Sequence, residues 1–298
     1  MSHSAMALQR NPLRSIAGDA VRTVVLKRMV DAGVDAETIA NASTIRWPKT
    51  GPLWRHLLGT SLKVEKSKAV GWYTAVVYLA PEKEAEPYAG KINLCPFASA
   101  SCPGACLAGN AAVSRLAMDS GRNAKAWKTL LYKFARELYL AFLDFALEAH
   151  KRSAGRRNLI PAIRLNGSSD VVWETVAPEI FAKHSDVTFY DYTKIYTRFD
   201  RPLPKNYHLT FSRSEDISWR QVTDILSRGI NVAVVFTDST PIDAGEFRGE
   251  TVVNGDVHDA RPTDDQNGGR GVIVGLSVKS HASDGGSGFF LDPNAATN

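Results

Sequence analysis

Residues 160–192 read Ile160-Pro161-Ala162-Ile163-Arg164-Leu165-Asn166, a turn Gly167-Ser168-Ser169-Asp170, a helical stretch from Trp173 to Lys183, and then Val187-Thr188-Phe189-Tyr190-Asp191-Tyr192. Strand, helix and strand succeed one another within about thirty residues, the length of one β/α/β unit. The strand segments are short, largely apolar runs. Such strands are buried on both faces, which argues for a parallel sheet covered by helices.

The pattern extends in both directions. Upstream, Trp72 to Ala80 is a β-branched and aromatic run that ends at Pro81. A long helix is expected from Asn123 to Arg152, with Leu130, Phe134, Leu138, Phe142, Phe145 and Leu147 on its apolar positions. Downstream, Lys194 to Lys205 holds at most a short or irregular helix, and further strands begin at Tyr207, Asn231 and Gly271. Between Tyr207 and Asn231, Ser218 and Gln221 stand at capping-box spacing and Gly229 closes the helix. Six candidate strands suit an incomplete (β/α)6 barrel or an open doubly wound sheet. Residues 71–280 form this α/β unit. Residues 1–70 form a basic helical N-terminal extension, with helices expected within Gly18 to Ala42 and Gly33 as a stop. Residues 281–298 are a polar tail in which Phe289-Phe290-Leu291 can dock on the domain.

The 298 residues are 44% hydrophobic and 22% charged, enough for a sizeable core. No run approaches the roughly 18 apolar residues of a membrane span. The first fourteen residues lack the apolar core of a signal peptide. A cytoplasmic location is the resulting expectation. The net charge of +5 is uneven, since residues 1–70 carry eleven Lys/Arg against five Asp/Glu. That basic third suits contact with nucleic acid or an acidic partner, or simply a solvated helical face. Neither a Walker loop nor a Gly-x-Gly-x-x-Gly occurs, so nothing indicates a nucleoside triphosphate or a dinucleotide.

All three cysteines, Cys95, Cys102 and Cys106, fall within twelve residues. In a reducing compartment such thiols read as metal ligands or redox groups rather than disulfides. Three thiolates suit a [4Fe-4S] cluster with one open iron. Zinc completed by His258 or an Asp, and bare thiols, are the other readings.

In a parallel α/β protein the functional face lies at the carboxyl ends of the strands. Those ends are polar here. Lys194, Arg213 and His258 are the candidate catalytic groups. Asn166, Ser168, Asp170, Asp191, Ser212, Glu215, Asp256 and Arg261 are the candidates to line a ligand pocket beside the thiols. Ser169 and Asp170 equally suit capping of the following helix, and His208 suits a core position.

The cysteine loop after a first strand, followed by β/α units, resembles the radical S-adenosylmethionine superfamily. There, three cysteines hold a [4Fe-4S] cluster whose open iron binds S-adenosylmethionine inside a partial barrel. The chain more closely resembles the phage gene product 88 family. The shared features are the Cys-Pro…Cys-Pro-Gly-x-Cys loop, Arg122-Asn123, 165–170 (Leu-Asn-Gly-Ser-Ser-Asp), 190–194 (Tyr-Asp-Tyr-Thr-Lys), 211–215 (Phe-Ser-Arg-Ser-Glu), 255–261 (Gly-Asp-Val-His-Asp-Ala-Arg) and 274–276 (Val-Gly-Leu). That resemblance implies a phage or prophage source and no settled activity. The combined expectation is an iron–sulfur protein of a phage-infected or prophage-bearing cell, with an electron donor and an unknown substrate as partners. The alternative is a metal-stabilised module that binds nucleic acid or protein without catalysis.

Overall fold

The computed structural model describes residues 12–106, 116–264, 267–279 and 285–295. The chain opens with helices α1 (Gly18–Asp31) and α2 (Ala36–Thr44), the latter capped by the Asp35 carboxylate on the Thr38 N–H. Gly33, at φ +68, separates the two, as expected of a glycine stop. Strand β1 (Leu58–Gly59), helix α3 (Leu62–Lys66) and strand β2 (Trp72–Val77) follow. Two single turns follow, α4 (Glu86–Ala89) before the thiol loop and α5 (Cys102–Ala105) within it.

Next come α6 (Asp119–Phe134), α7 (Arg136–Gly155), β3 (Ile160–Arg164), α8 (Trp173–Val176), α9 (Pro178–Lys183) and β4 (Thr188–Thr193). The chain continues with β5 (Tyr207–Ser212), α10 (Trp219–Ser227), β6 (Val232–Phe236), α11 (Thr240–Ala244), β7 (Glu246–Phe247), β8 (Glu250–Asn254) and β9 (Ile273–Ser277).

The nine strands form one sheet in the order β1-β2-β3-β4-β5-β6-β9-β8-β7. From β2 through β8 every neighbouring pair is parallel, and only the two-residue strands β1 and β7 pair antiparallel at the ends. The mixed α/β architecture and all six expected strands are present. The sequence pattern carried no sign of β1, β7 or β8. The expected helix from Asn123 to Arg152 is two helices, broken where Ala135 leaves helical geometry (φ −144, ψ 56). The expected helix from Trp173 to Lys183 breaks in the same way at Ala177, just before Pro178.

The larger core lies between the β2–β5 half of the sheet and α6, α7 and α9. Phe181 meets Phe189 edge-on at 4.9 Å and stacks on Tyr207 at 4.7 Å. Val21, Val25 and Met29 of α1 belong to this same core. A second core joins β5, β6, β8 and β9 to α10, whose Val222, Ile225 and Leu226 are buried. The two cores fix the strands, and the strands carry their polar ends to one edge.

Candidate functional site

β3 leaves the sheet through Gly167, which packs on the end of β2. A Cβ there would lie 2.3 Å from Val76 Cγ1 and 2.7 Å from the Val77 carbonyl, so only glycine fits. This close approach sets Ser168 beside the thiol loop. Its carbonyl receives the Cys95 thiol at 3.8 Å, and its hydroxyl donates to Leu79 O at 2.6 Å. Asn166 is a hub for the same turn. Its Oδ1 accepts from Ser169 Oγ, Val171 N and Trp173 Nε1, and its Nδ2 donates to Val171 O.

The next strand ends supply charge. Asp170 accepts the Lys194 N–H at 2.8 Å and Arg198 Nη1 at 3.2 Å. Asp191 accepts the Asn166 N–H at 2.8 Å and the Tyr207 hydroxyl at 2.9 Å, and burial pushes its carboxyl up to about 7. Glu215 accepts the Ser101 N–H at 2.9 Å and the Ser99 hydroxyl at 2.7 Å. Burial works against its ionisation, but these bonds outweigh it and hold the carboxyl below its ordinary value.

Lys194 differs from these paired groups. Its ammonium has only three long contacts, to Ser212 O at 3.3 Å, Ser212 Oγ at 3.4 Å and Arg213 O at 3.3 Å. The Phe289 ring lies 4.8 Å away. Burial lowers the Lys194 pKa, opposed by the nearby Cys102, Asp170 and Glu215. Arg213 donates through Nη1 to Gly288 O and Phe289 O, while its buried Nε has no acceptor. The tail is anchored over these cations by Leu291, whose N–H donates to Val235 O at 2.8 Å and whose carbonyl accepts from Thr237 N.

Cys102, whose thiol lies close enough to Lys194 to feel its charge, also stands in the wall of a cavity of about 430 Å3 with Cys95, Cys106, Glu82 and Glu84. Glu82 has φ +43, a left-handed conformation unusual for a residue with a side chain. Glu84 pairs with the buried Lys125 at 2.9 Å.

The thiols share this wall but do not converge. Among the described residues no three His, Cys, Asp or Glu side chains are gathered to hold a metal ion. The Cys95 thiol is turned to the Ser168 carbonyl, and burial pushes its pKa up to about 12 and raises that of Cys102. The expected three-thiolate [4Fe-4S] function, and the metal-stabilised alternative, are therefore corrected. The S-adenosylmethionine expectation rested on that cluster's open iron.

His258, Asp256 and Arg261 belong to a different cluster. Arg261 donates to the His258 carbonyl at 2.6 Å and pairs with Asp264 at 3.3 Å, and Asp256 binds Ser277 N and Lys279. Their loop is tied to the sheet by Asp259, which meets Arg164 at 2.9 Å, the Tyr190 hydroxyl at 3.4 Å and Ser67 Oγ. β4 explains the division. Successive residues point to opposite faces, so Tyr190 joins Asp259 while Asp191 joins Tyr207 and Asn166. Composition alone merged the two faces into one site. It also missed Ser99, Ser101, Glu82, Glu84, Lys125 and Arg198, whose roles come from contacts across long sequence separations.

A family model for gene product 88 matches residues 56–292, which span both the thiol loop and every strand. The chain belongs to the gene product 88 family. No curated protein and no solved structure matches it. In this gene product 88 protein no helix among the described residues is long and apolar enough to cross a membrane. Part of the basic charge of the N-terminal third is already neutralised, since Lys27, Arg28, Lys63 and Lys68 form ion pairs.

Proposed function

We propose that this gene product 88 protein binds a small anionic molecule at the carboxyl ends of β4 and β5, against Lys194 and Arg213, beside the thiol-walled cavity. The observation that carries this reading is the Lys194 ammonium. It is partly buried, yet no carboxylate lies within ion-pair distance of it among the described residues. A cation removed from water without a partner is costly. The neighbouring acids are already engaged, Asp170 by Arg198 and Glu215 by Ser99 and Ser101. The groups left for a ligand are therefore cationic: the Lys194 charge, which has only neutral acceptors among the described residues, and Arg213 Nε, which has none. The left-handed Glu82 on the cavity wall adds support, because strained backbone concentrates at ligand sites.

Lys194 supplies a point charge and Arg213 a directional N–H. The protonated thiols of Cys95 and Cys102 contribute weak donors and soft, polarisable walls. The Phe289 ring lies against the Lys194 ammonium, and the Gly288 carbonyl accepts from Arg213 Nη1.

The test is a thermal-shift panel on the full chain with the carboxylate anions citrate, succinate and malate at constant ionic strength. At least one anion should raise the melting temperature saturably, and Lys194→Met and Arg213→Ala should each abolish that rise while remaining folded. A panel without any saturable response, or one unchanged in both variants, refutes the reading.

A further inference from the structure

The Arg122-Asn123 pair plays no part in the thiol cavity. It lines a second cavity of about 320 Å3, together with Arg46, Glu84, Tyr88 and Asp119. Asn123 closes a reciprocal pair with the backbone of Arg46. Its Oδ1 accepts the Arg46 N–H at 2.8 Å, and its Nδ2 donates to the Arg46 carbonyl at 2.6 Å. The chain leaving α2 is thereby fixed against α6, and the side chains of Arg46 and Arg122 border one concavity.

Four features of this cavity favour an anion. Neither Arg46 nor Arg122 forms an ion pair among the described residues. Arg122 Nε donates to the Ala117 carbonyl, which orients the guanidinium, and its terminal nitrogens have no acceptor among the described residues. The Tyr88 hydroxyl is buried without a hydrogen-bond partner among the described residues, although buried phenols ordinarily find one. The sixteen-residue helix α6 begins here with Met118 at its N-cap, so no side chain accepts its first-turn N–H groups. On the acidic side, Glu84 is committed to Lys125, and Asp119 is the remaining carboxylate.

We propose that this second cavity is a subsite for a phosphoryl group, held by the guanidinium groups of Arg46 and Arg122 and the Tyr88 hydroxyl at the open first turn of α6. Two forked guanidiniums match the tetrahedral oxygens of a phosphoryl group. The subsite is distinct from the Lys194 site and does not depend on it. Glu84 lines both this cavity and the thiol-walled one, so the two cavities adjoin at Glu84.

Inorganic phosphate titrated into the full chain, at constant ionic strength and followed by amide NMR, tests the proposal. Saturable shifts are expected at Arg46, Arg122 and Asn123. Arg46→Gln, whose side chain holds no other group, should weaken binding about tenfold, the usual scale for one charge-assisted hydrogen bond. Tyr88→Phe should weaken it by a smaller factor, Asp119→Asn should tighten it, and Lys194→Met should leave it unchanged. Equal shifts with chloride, no saturation, an unaltered affinity in folded Arg46→Gln, or loss of binding in Lys194→Met would each overturn the assignment.

Discussion

Glu215 and Ser101 lie 114 residues apart in sequence, yet the Glu215 carboxylate accepts the Ser101 backbone N–H at 2.9 Å. The same carboxylate takes the Ser99 hydroxyl at 2.7 Å. The end of β5 thus holds the thiol loop, a segment whose own backbone bonds are single local turns such as Ala98 N to Cys95 O. The sheet thus helps to fix where the thiols stand.

Glu215→Gln should loosen that loop without unfolding the domain. Losing the charge on a pair of hydrogen bonds costs about 1 kcal/mol. Amide exchange at Ser101 should quicken while exchange in β4 and β5 stays slow. The Glu215 pKa is depressed in the folded chain, so its contribution is complete above about pH 4.3, the ordinary glutamate value. That contribution is lost as pH falls through the lower folded value. Acid titration of the loop amides in the wild type should show this loss, and the Gln variant should not.

Asn166→Ala should be far more costly. It removes the acceptor shared by Ser169, Val171 and Trp173 and leaves the Trp173 indole N–H buried without a partner. A loss of about 3 kcal/mol is expected, on the scale of breaking a buried hydrogen-bond network. Denaturant unfolding measures it. A change below about 0.5 kcal/mol, the scale of an ordinary surface substitution, would show that the hub is dispensable.

Asp191 should make stability fall as pH rises through neutrality. Burial raises its folded pKa to about 7, so between about pH 4 and 7 the folded chain holds a proton that the unfolded chain has released. Stability declines across that window and levels above it. Asp191→Asn should flatten the part of the decline that reaches pH 7. Denaturation midpoints at pH 5 and pH 8 for both chains check the sign, and a steeper decline in the variant would contradict the buried, protonated carboxyl.

The six main strands could be read from apolar runs, and the polar residues that follow them do gather at the strands' carboxyl ends. Two kinds of information were not legible there. Strand alternation assigns Tyr190 and Asp191 to different faces, so the 255–261 loop joins Arg164 and Tyr190 rather than Lys194. Proximity in sequence also misleads about side-chain direction. Cys95 and Cys102 are seven residues apart, but the Cys95 thiol faces the Ser168 carbonyl, a choice made by the Gly167 contact with β2. The break at Ala135 had no composition signal, because Phe134, Ala135 and Arg136 fit a continuous helix.

The thiols should be sluggish nucleophiles. Burial pushes Cys95 to about 12 and raises Cys102, so little thiolate exists near neutrality. Iodoacetamide at pH 7.5 should modify both at least about tenfold more slowly than an ordinary free thiol of pKa near 8.5. Denaturant should remove the difference. The Lys194 charge favours the Cys102 thiolate, so Lys194→Met should slow Cys102 further. Peptide mapping by mass spectrometry distinguishes the sites.

The most direct measurement is the ionisation of Lys194 itself, read by NMR after selective 13C-methylation of lysines and assigned with Lys194→Met. In the free protein its pKa should lie below the ordinary lysine value, because the loss of water on burial outweighs the nearby Cys102, Asp170 and Glu215. An anion seated against the ammonium favours the charged form, so at least one of citrate, succinate and malate should move the value upward. An ordinary pKa in the free protein, or one unmoved by all three anions, would contradict anion binding at Lys194.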